Sequence, residues 1–333
     1  MALPFSSLTI LEATSAAAPQ GLALAAGLCG RVLADLGAQV TRFLPAHAAP
    51  LVAAAELFLH RGKRSLQAGA QGDALLRALM ADCDAAIVDA VSLEGAALPR
   101  HACVVLSMDG TDDPRQSDFT IAARSGLLDM VGDPQREPLR LGGHQTAYAA
   151  GLAAFTGLAA ALANPLEGAA PAMLRVSLLE TAIWLNWKAL AAAELNGVAL
   201  TRLGPGAEWP VLRCADGHVV LVHRAAEWPR LLAALPDPAL HDARFATVEG
   251  RREHRRALNA LLGRQVAGLT RAELHALSLR AKLPFGPVWR LDELLDDAQM
   301  RARDAFDAQG LPRLPVLWNG RRLAAAELAT SAP

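Results

Sequence analysis

Apolar positions along the chain keep two rhythms. Short continuous or alternating runs occur at residues 8–12 (LTILE), 38–43 (AQVTRF), 85–89 (AAIVD) and 102–107 (ACVVLS). Between them, residues 30–37 (GRVLADLG) read as the end of an amphipathic helix stopped by glycine, and residues 73–82 as a further helix. Strand, helix and strand in this succession form βαβ units, which predict a parallel sheet with crossover helices: an open, doubly wound, Rossmann-like α/β fold. No GxGxxG follows the first strand, which disfavours a nicotinamide or flavin enzyme.

Residues 146–196 read as almost wholly helical and apolar, broken at 164–171 (NPLEGAAP). A stretch rich in glycine and proline at 196–208 reads as a linker. Two strands at 210–214 and 218–223, joined by Ala215, Asp216 and Gly217, form a hairpin signal, and arginine-rich helices follow to Leu283. The expected division is a large lobe over 1–195, a linker over 196–208, a small α+β lobe over 209–285 and a return to the large lobe over 286–333.

Composition narrows the function class. At 333 residues, 53% hydrophobic and 20% charged, the chain supports a folded core and two lobes. Its net charge of −1 provides no field toward nucleic acid or an anionic membrane, so an anionic ligand needs a local cationic patch. Cys29, Cys83, Cys103 and Cys214 have no CxxC pairing or neighbouring histidine at ligand spacing; they read as buried hydrophobes in a reducing, cytoplasmic setting, with no metal site. The apolar run at 147–163 falls short of the ~20 residues of a membrane span and is mostly alanine and glycine, so it reads as a helix buried in protein.

Five segments in order, GRVLADLGAQVTRF (30–43), LHRGKRSL (59–66), SDFTIAARSGLLDMVGDPQREPLRLGG (117–143), RVSLLETA (175–182) and LPFGPVWRLDELLDDAQMRAR (283–303), resemble the family III CoA-transferases, which include formyl-CoA transferase, the carnitine CoA-transferase and α-methylacyl-CoA racemase. The resemblance implies a large lobe made from both chain ends, a small inserted lobe, two protomers threaded as interlocked rings, acyl-CoA as ligand and no metal or redox cofactor. It also implies, in the transferases, an aspartate that attacks the thioester and carries the acyl group covalently.

That aspartate begins a helix after a motif like PVRVGxPxxD, and the matching stretch here is PLRLGGHQTA (138–147), which puts Ala147 at the nucleophile's position. No carboxylate occurs between Glu137 and Glu167. The racemases' histidine precedes an aspartate in a GHD-like motif, matched here by Ser117 and Asp118, and their aspartate again falls on Ala147. The NRGK loop reads His60, Arg61, Gly62, Lys63; the NFRPG segment is replaced by DAVSLEGA (89–96), with Asp89 and Glu94; and the GFGQxGP loop reads MDGTDDP (108–114).

The expected site therefore has two parts. Arg61, Lys63 and Arg64 form a cationic cluster for CoA phosphates. His144, Gln145 and Tyr148 crowd the missing nucleophile's position, where a histidine suits general-base work, and Gly142 and Gly143 permit close backbone approach to a thioester. His144 also has the plainer reading of a polar group facing a cleft. The expected function is an acyl-CoA enzyme of altered chemistry, or a catalytically silent subunit paired with an active homologue, or an acyl-CoA binding protein; the expected assembly is a homodimer or a heteromer with a homologous subunit.

Overall fold

The computed structural model describes residues 3–47, 51–69, 71–111, 113, 115–163, 170–199 and 202–323. The interruption expected at 164–171 lies mostly outside the described residues, as do Asp112 and Pro114 of the 108–114 loop, two positions of the expected linker, and residues 324–333.

The larger of two compact units comprises Met1–Val131, Leu139–Leu200 and Ala302–Pro333. Its chain runs β1 (Thr9–Ala13), α1 (Gln20–Asp35), β2 (Gln39–Leu44), α2 (Ala53–Leu59), β3 (Arg64–Gln67), α3 (Gly72–Asp82), β4 (Ala85–Asp89), α4 (Ala90–Leu93), β5 (Ala102–Ser107), α5 (Asp118–Arg124), α6 (Gln145–Ala163), β6 (Ala172–Ser177), α7 (Leu178–Leu185) and α8 (Trp187–Asn196). The six strands form one parallel sheet in the order β3-β2-β1-β4-β5-β6. This is the doubly wound order, with its reversal between β1 and β4.

The central strands are continuous apolar runs because helices cover both faces of the sheet. Successive side chains alternate between two cores. Ile10, Ile87, Val104 and Leu106 point toward α1 and α6, where they meet Leu24, Leu33, Ala147 and Leu158. Leu11, Ala86, Val88, Cys103 and Val105 face the other way, with Met80 of α3 and Phe43. Each fully buried Ile, Leu or Val there contributes about 1.5–3 kcal/mol. All four cysteines are buried and free.

Helix α1 departs from the expected amphipathic pattern, since its residues are buried from Gly21 to Asp35 with few exceptions. The sheet covers one side and α6 the other, so a polar stripe has no solvent to face. Two strands were unreadable in the sequence. β3 is a polar edge strand, RSLQ, within a loop-like segment, and β6 (AMLRVS) interrupts a run of helical composition. Both border the sheet, where half-exposed residues lack a core strand's apolar signature.

By length and composition α6 could cross a membrane. One face, Ala147, Ala150, Gly151, Ala154 and Leu158, is instead buried in the core.

The second unit comprises Gly132–Pro138 and Thr201–Arg301. β7 (Val211–Cys214) and β8 (Gly217–Leu221) form the expected hairpin. α9 (Trp228–Ala234), α10 (Val248–Glu253), α11 (Arg255–Val266) and α12 (Arg271–Ala281) follow. Leu212, Val219, Trp228, Phe245, Leu262 and Leu274 form this unit's own core. Thr270 caps α12 reciprocally with Glu273, the T-x-x-E capping box. The chain does not leave this unit at residue 286: Phe285–Pro287 forms β9, antiparallel to β8, and the return falls at Ala302. A third strand satisfies the hairpin's open edge, which the sequence pattern of LPFGPV does not announce.

Candidate functional site

Two helix starts build the first half of the candidate site. Ser117 caps α5, its hydroxyl accepting from Thr120 N, which sets Asp118 in the first turn of that helix. Before α6 the chain turns at Gly143, whose φ of 74° is a left-handed conformation that favours glycine. The next residue, His144, opens α6: its carbonyl accepts the Tyr148 N–H at 3.0 Å.

The two starts bring His144 Nδ1 to 2.7 Å from Asp118 Oδ2. Asp118 is largely buried, and His144 keeps 29% of its side chain exposed. Arg140 stands 3.8 Å from the same carboxylate oxygen, lies over the Phe119 ring and donates to Gly143 O at 3.4 Å. An imidazole and a guanidinium thus share one carboxylate. Tyr148 packs edge-on to the His144 ring, centroids 6.5 Å apart. Burial, and then the Asp118 charge, push the Tyr148 hydroxyl's pKa up, so it remains a neutral phenol.

Gln145 donates from Nε2 to Gly142 O at 3.1 Å. Gly142 and Gly143 lie on exposed backbone. Ala147 is fully buried, its methyl packed in the core under α1. A cavity of about 20 Å³, room for about one water, adjoins the pair and is lined by Asp118, Phe119, Ala122, Leu127, Arg140 and Thr146 among others.

The expected cationic cluster is divided by the structure. Lys63 turns inward, wholly buried, onto the Glu12 carboxylate and Gly27 O, with His60 Nδ1 3.3 Å away. It therefore cannot face a phosphate as the sequence suggested. Arg61 is paired with Asp307, and Arg64 is exposed at the start of β3.

The crevice where the strand order reverses is acidic rather than cationic. It has about 160 Å³ and is lined by Ser15, Pro19, Leu22, Asp89, Met108 and Thr111 among others. The buried Asp89 carboxylate accepts from Ser15 N at 3.1 Å, Ser15 Oγ at 2.5 Å and Ser92 N at 3.1 Å, capping α4. The substitution of DAVSLEGA thus places a saturated carboxylate at the switch point, where anionic groups commonly bind in such folds.

Sequence reading noted Asp118 only as the neighbour of Ser117. Its pairing with His144 spans 26 residues and has no local signal. Among the described residues no group of three or more His, Cys, Asp or Glu is placed to hold a metal ion.

A six-stranded parallel sheet in doubly wound order, with a histidine–carboxylate pair where two helices begin, defines the class as an α/β protein of Rossmann-like topology. The description of CoA-transferase family III matches residues 108–331, well over half of the chain, and the protein belongs to that family. It is similar to succinate–glutarate CoA-transferase of Agrobacterium fabrum, 24% identical over 88% of this chain and 86% of that one. A CAIB/BAIF family protein from Brucella suis has a similar fold: TM-score 0.83, 23% identity, 98% of this chain and 96% of that one. So does a hypothetical protein (Rv3272) from Mycobacterium tuberculosis, with TM-score 0.79, 20% identity and coverage of 98% and 96%.

Proposed function

We propose that this chain binds acyl-CoA thioesters and does not carry the acyl group on an aspartate. The observation that carries the reading lies at residues 138–147, where the family's attacking carboxylate is expected. Ala147 stands there, and its methyl is sealed in the core. Without a carboxylate no mixed anhydride can form at this position. The proton-handling group beside it is His144, held by Asp118. Acyl-CoA is substrate or ligand, with no metal or redox cofactor. Arg61 and Arg64 are the cations proposed to meet its phosphates.

A second reading, a silent subunit that pairs with an active homologue, is favoured by Lys63 being withdrawn from its loop and by Asp89 at the switch point. Either reading includes the family's intertwined dimer. Its support is α8, which has no buried residue although it carries Trp187, Leu190 and Leu195, and the neighbouring Trp184, 74% exposed. A cytoplasmic location is proposed with it, consistent with four free, buried cysteines.

The test is calorimetric titration of the purified protein with acetyl-CoA, succinyl-CoA and CoA. Binding in the micromolar range is expected, weakened by about 1–3 kcal/mol in the Arg61→Ala/Arg64→Ala double variant. No heat of binding to any thioester would remove the acyl-CoA reading. Unchanged affinity in the double variant would remove only the phosphate placement.

A further inference from the structure

We infer that His144, oriented by Asp118, is a general base that directs water onto the carbonyl of a CoA thioester, making the protein an acyl-CoA hydrolase. The inference rests on the acyl-CoA reading above and assigns the chemistry of that site.

The pair has the geometry of a base and its positioning residue. Asp118 Oδ2 holds Nδ1 at 2.7 Å, which fixes the ring and leaves Nε2 as the working nitrogen. Among the described residues Nε2 has no hydrogen-bond partner, and it is not a buried unsatisfied atom, so it opens to solvent. Arg140, 3.8 Å from the same carboxylate oxygen, and the edge-on Tyr148 ring restrict the dyad further. Asp118 is itself mostly shielded and accepts these contacts, so it serves the histidine rather than attacking a thioester.

Charge developing on the thioester oxygen has a hydrogen-bond donor nearby. His144 precedes α6, and the backbone N–H of Gln145, an exposed residue in its first turn, has no acceptor within the helix. It sits at the positive end of a 19-residue helix, beside the imidazole by sequence. With no aspartate to trap the acyl group, the nucleophile such a site can activate is water.

The step balances. Water adds to the carbonyl carbon while Nε2 of His144 takes its proton. The tetrahedral oxyanion collapses, the C–S bond breaks, and the imidazolium returns the proton to the departing sulfur. The products are the carboxylic acid, which ionises, and CoA thiol; nothing is oxidised or reduced.

The experiment follows thiol release from acetyl-CoA and succinyl-CoA with a thiol-reactive chromophore, and measures calorimetric binding on the same samples. The wild type is expected to release thiol catalytically. His144→Ala and His144→Gln should lower kcat by about 10²–10⁴-fold with binding retained. Asp118→Asn should lower kcat with KM little changed, the split expected of a residue that positions the base rather than binding the substrate. Circular dichroism and thermal unfolding confirm that each variant is folded, with His144→Gln as the conservative variant should His144→Ala fail to fold. A wild type that binds acyl-CoA yet releases no thiol would overturn the hydrolase inference and leave the acyl-CoA reading standing. A wild type that binds none overturns both. Turnover undiminished in His144→Gln would overturn the role of His144.

Discussion

Lys63 and Glu12 form an ion pair sealed beneath α1, with the ammonium at 0% and the carboxylate side chain at 5% exposure. Gly30 of α1 makes the room: a Cβ there would stand 2.1 Å from Glu12 Oε2 and 2.9 Å from Lys63 Nζ. The pair fastens the loop before β3 to the central strand β1. Burial drives the ammonium's pKa down, and the Glu12 charge and its hydrogen bond oppose that. Breaking one partner strands the other. Lys63→Met is expected to cost about 3–5 kcal/mol in urea unfolding, and Lys63→Met with Glu12→Leu to recover most of it. Loss of stability in the double variant equal to that of Lys63→Met would show that the stranded carboxylate is not the cause.

His60, beside this pair, makes stability fall in acid. Glu12 and Glu56 carboxylates lie 3.5 and 3.9 Å from its ring nitrogens and favour the cation. Burial and the charges of Lys63 and Arg42 outweigh them, so the imidazole is pushed from 6.5 to about 2. Its Nε2 has no hydrogen-bond partner among the described residues. The folded protein therefore holds a neutral imidazole, whereas the unfolded chain takes up a proton below pH 6.5. The stability so contributed is whole above 6.5 and is lost as pH falls toward 2. Between pH 6.5 and 5 the loss from this group is about 2 kcal/mol. His60→Gln should flatten that part of the stability profile, and an unchanged slope would reject the assignment.

The wild-type chain is expected to form no covalent acyl or CoA adduct when incubated with acyl-CoAs, treated with hydroxylamine or borohydride and examined by mass spectrometry. Ala147→Asp puts a carboxylate into a site with no exposure, so it should lose about 3–5 kcal/mol of stability and form at most a weak adduct on the peptide containing residue 147. An adduct on the wild type at any residue would identify a replacement nucleophile and remove both the water-only mechanism and the silent-subunit reading.

The uncovered surface of α7 and α8 should be closed by a second subunit. Trp184, Trp187 and Leu195 are 74%, 63% and 84% exposed. Sedimentation at micromolar concentration is expected to give a dimer. Trp184→Glu with Leu195→Glu should shift it toward monomer or aggregate, since like charges placed in an apolar interface remain unpaired. A stable, folded wild-type monomer would rule out the homodimer and leave only a heteromeric partner.

The alternation of short apolar strands with helices was enough to read a doubly wound α/β unit, including β4 and β5 at the residues where they occur. This is local information, because side-chain periodicity in a strand or helix follows from backbone geometry alone. The five ordered segments likewise pointed to a family before any contact was known. Tertiary structure decided the rest. A lysine on a glycine-bearing loop has the same sequence whether it faces solvent or turns under a helix, and Lys63 turns under because Glu12 and the gap at Gly30 await it. β6 is a strand because Met173 and Leu174 pair with the edge of β5, against the helical composition around them. His144 was visible as a candidate base, but its orienting carboxylate was not. Asp118 reaches it only because two helix starts distant along the chain are packed side by side.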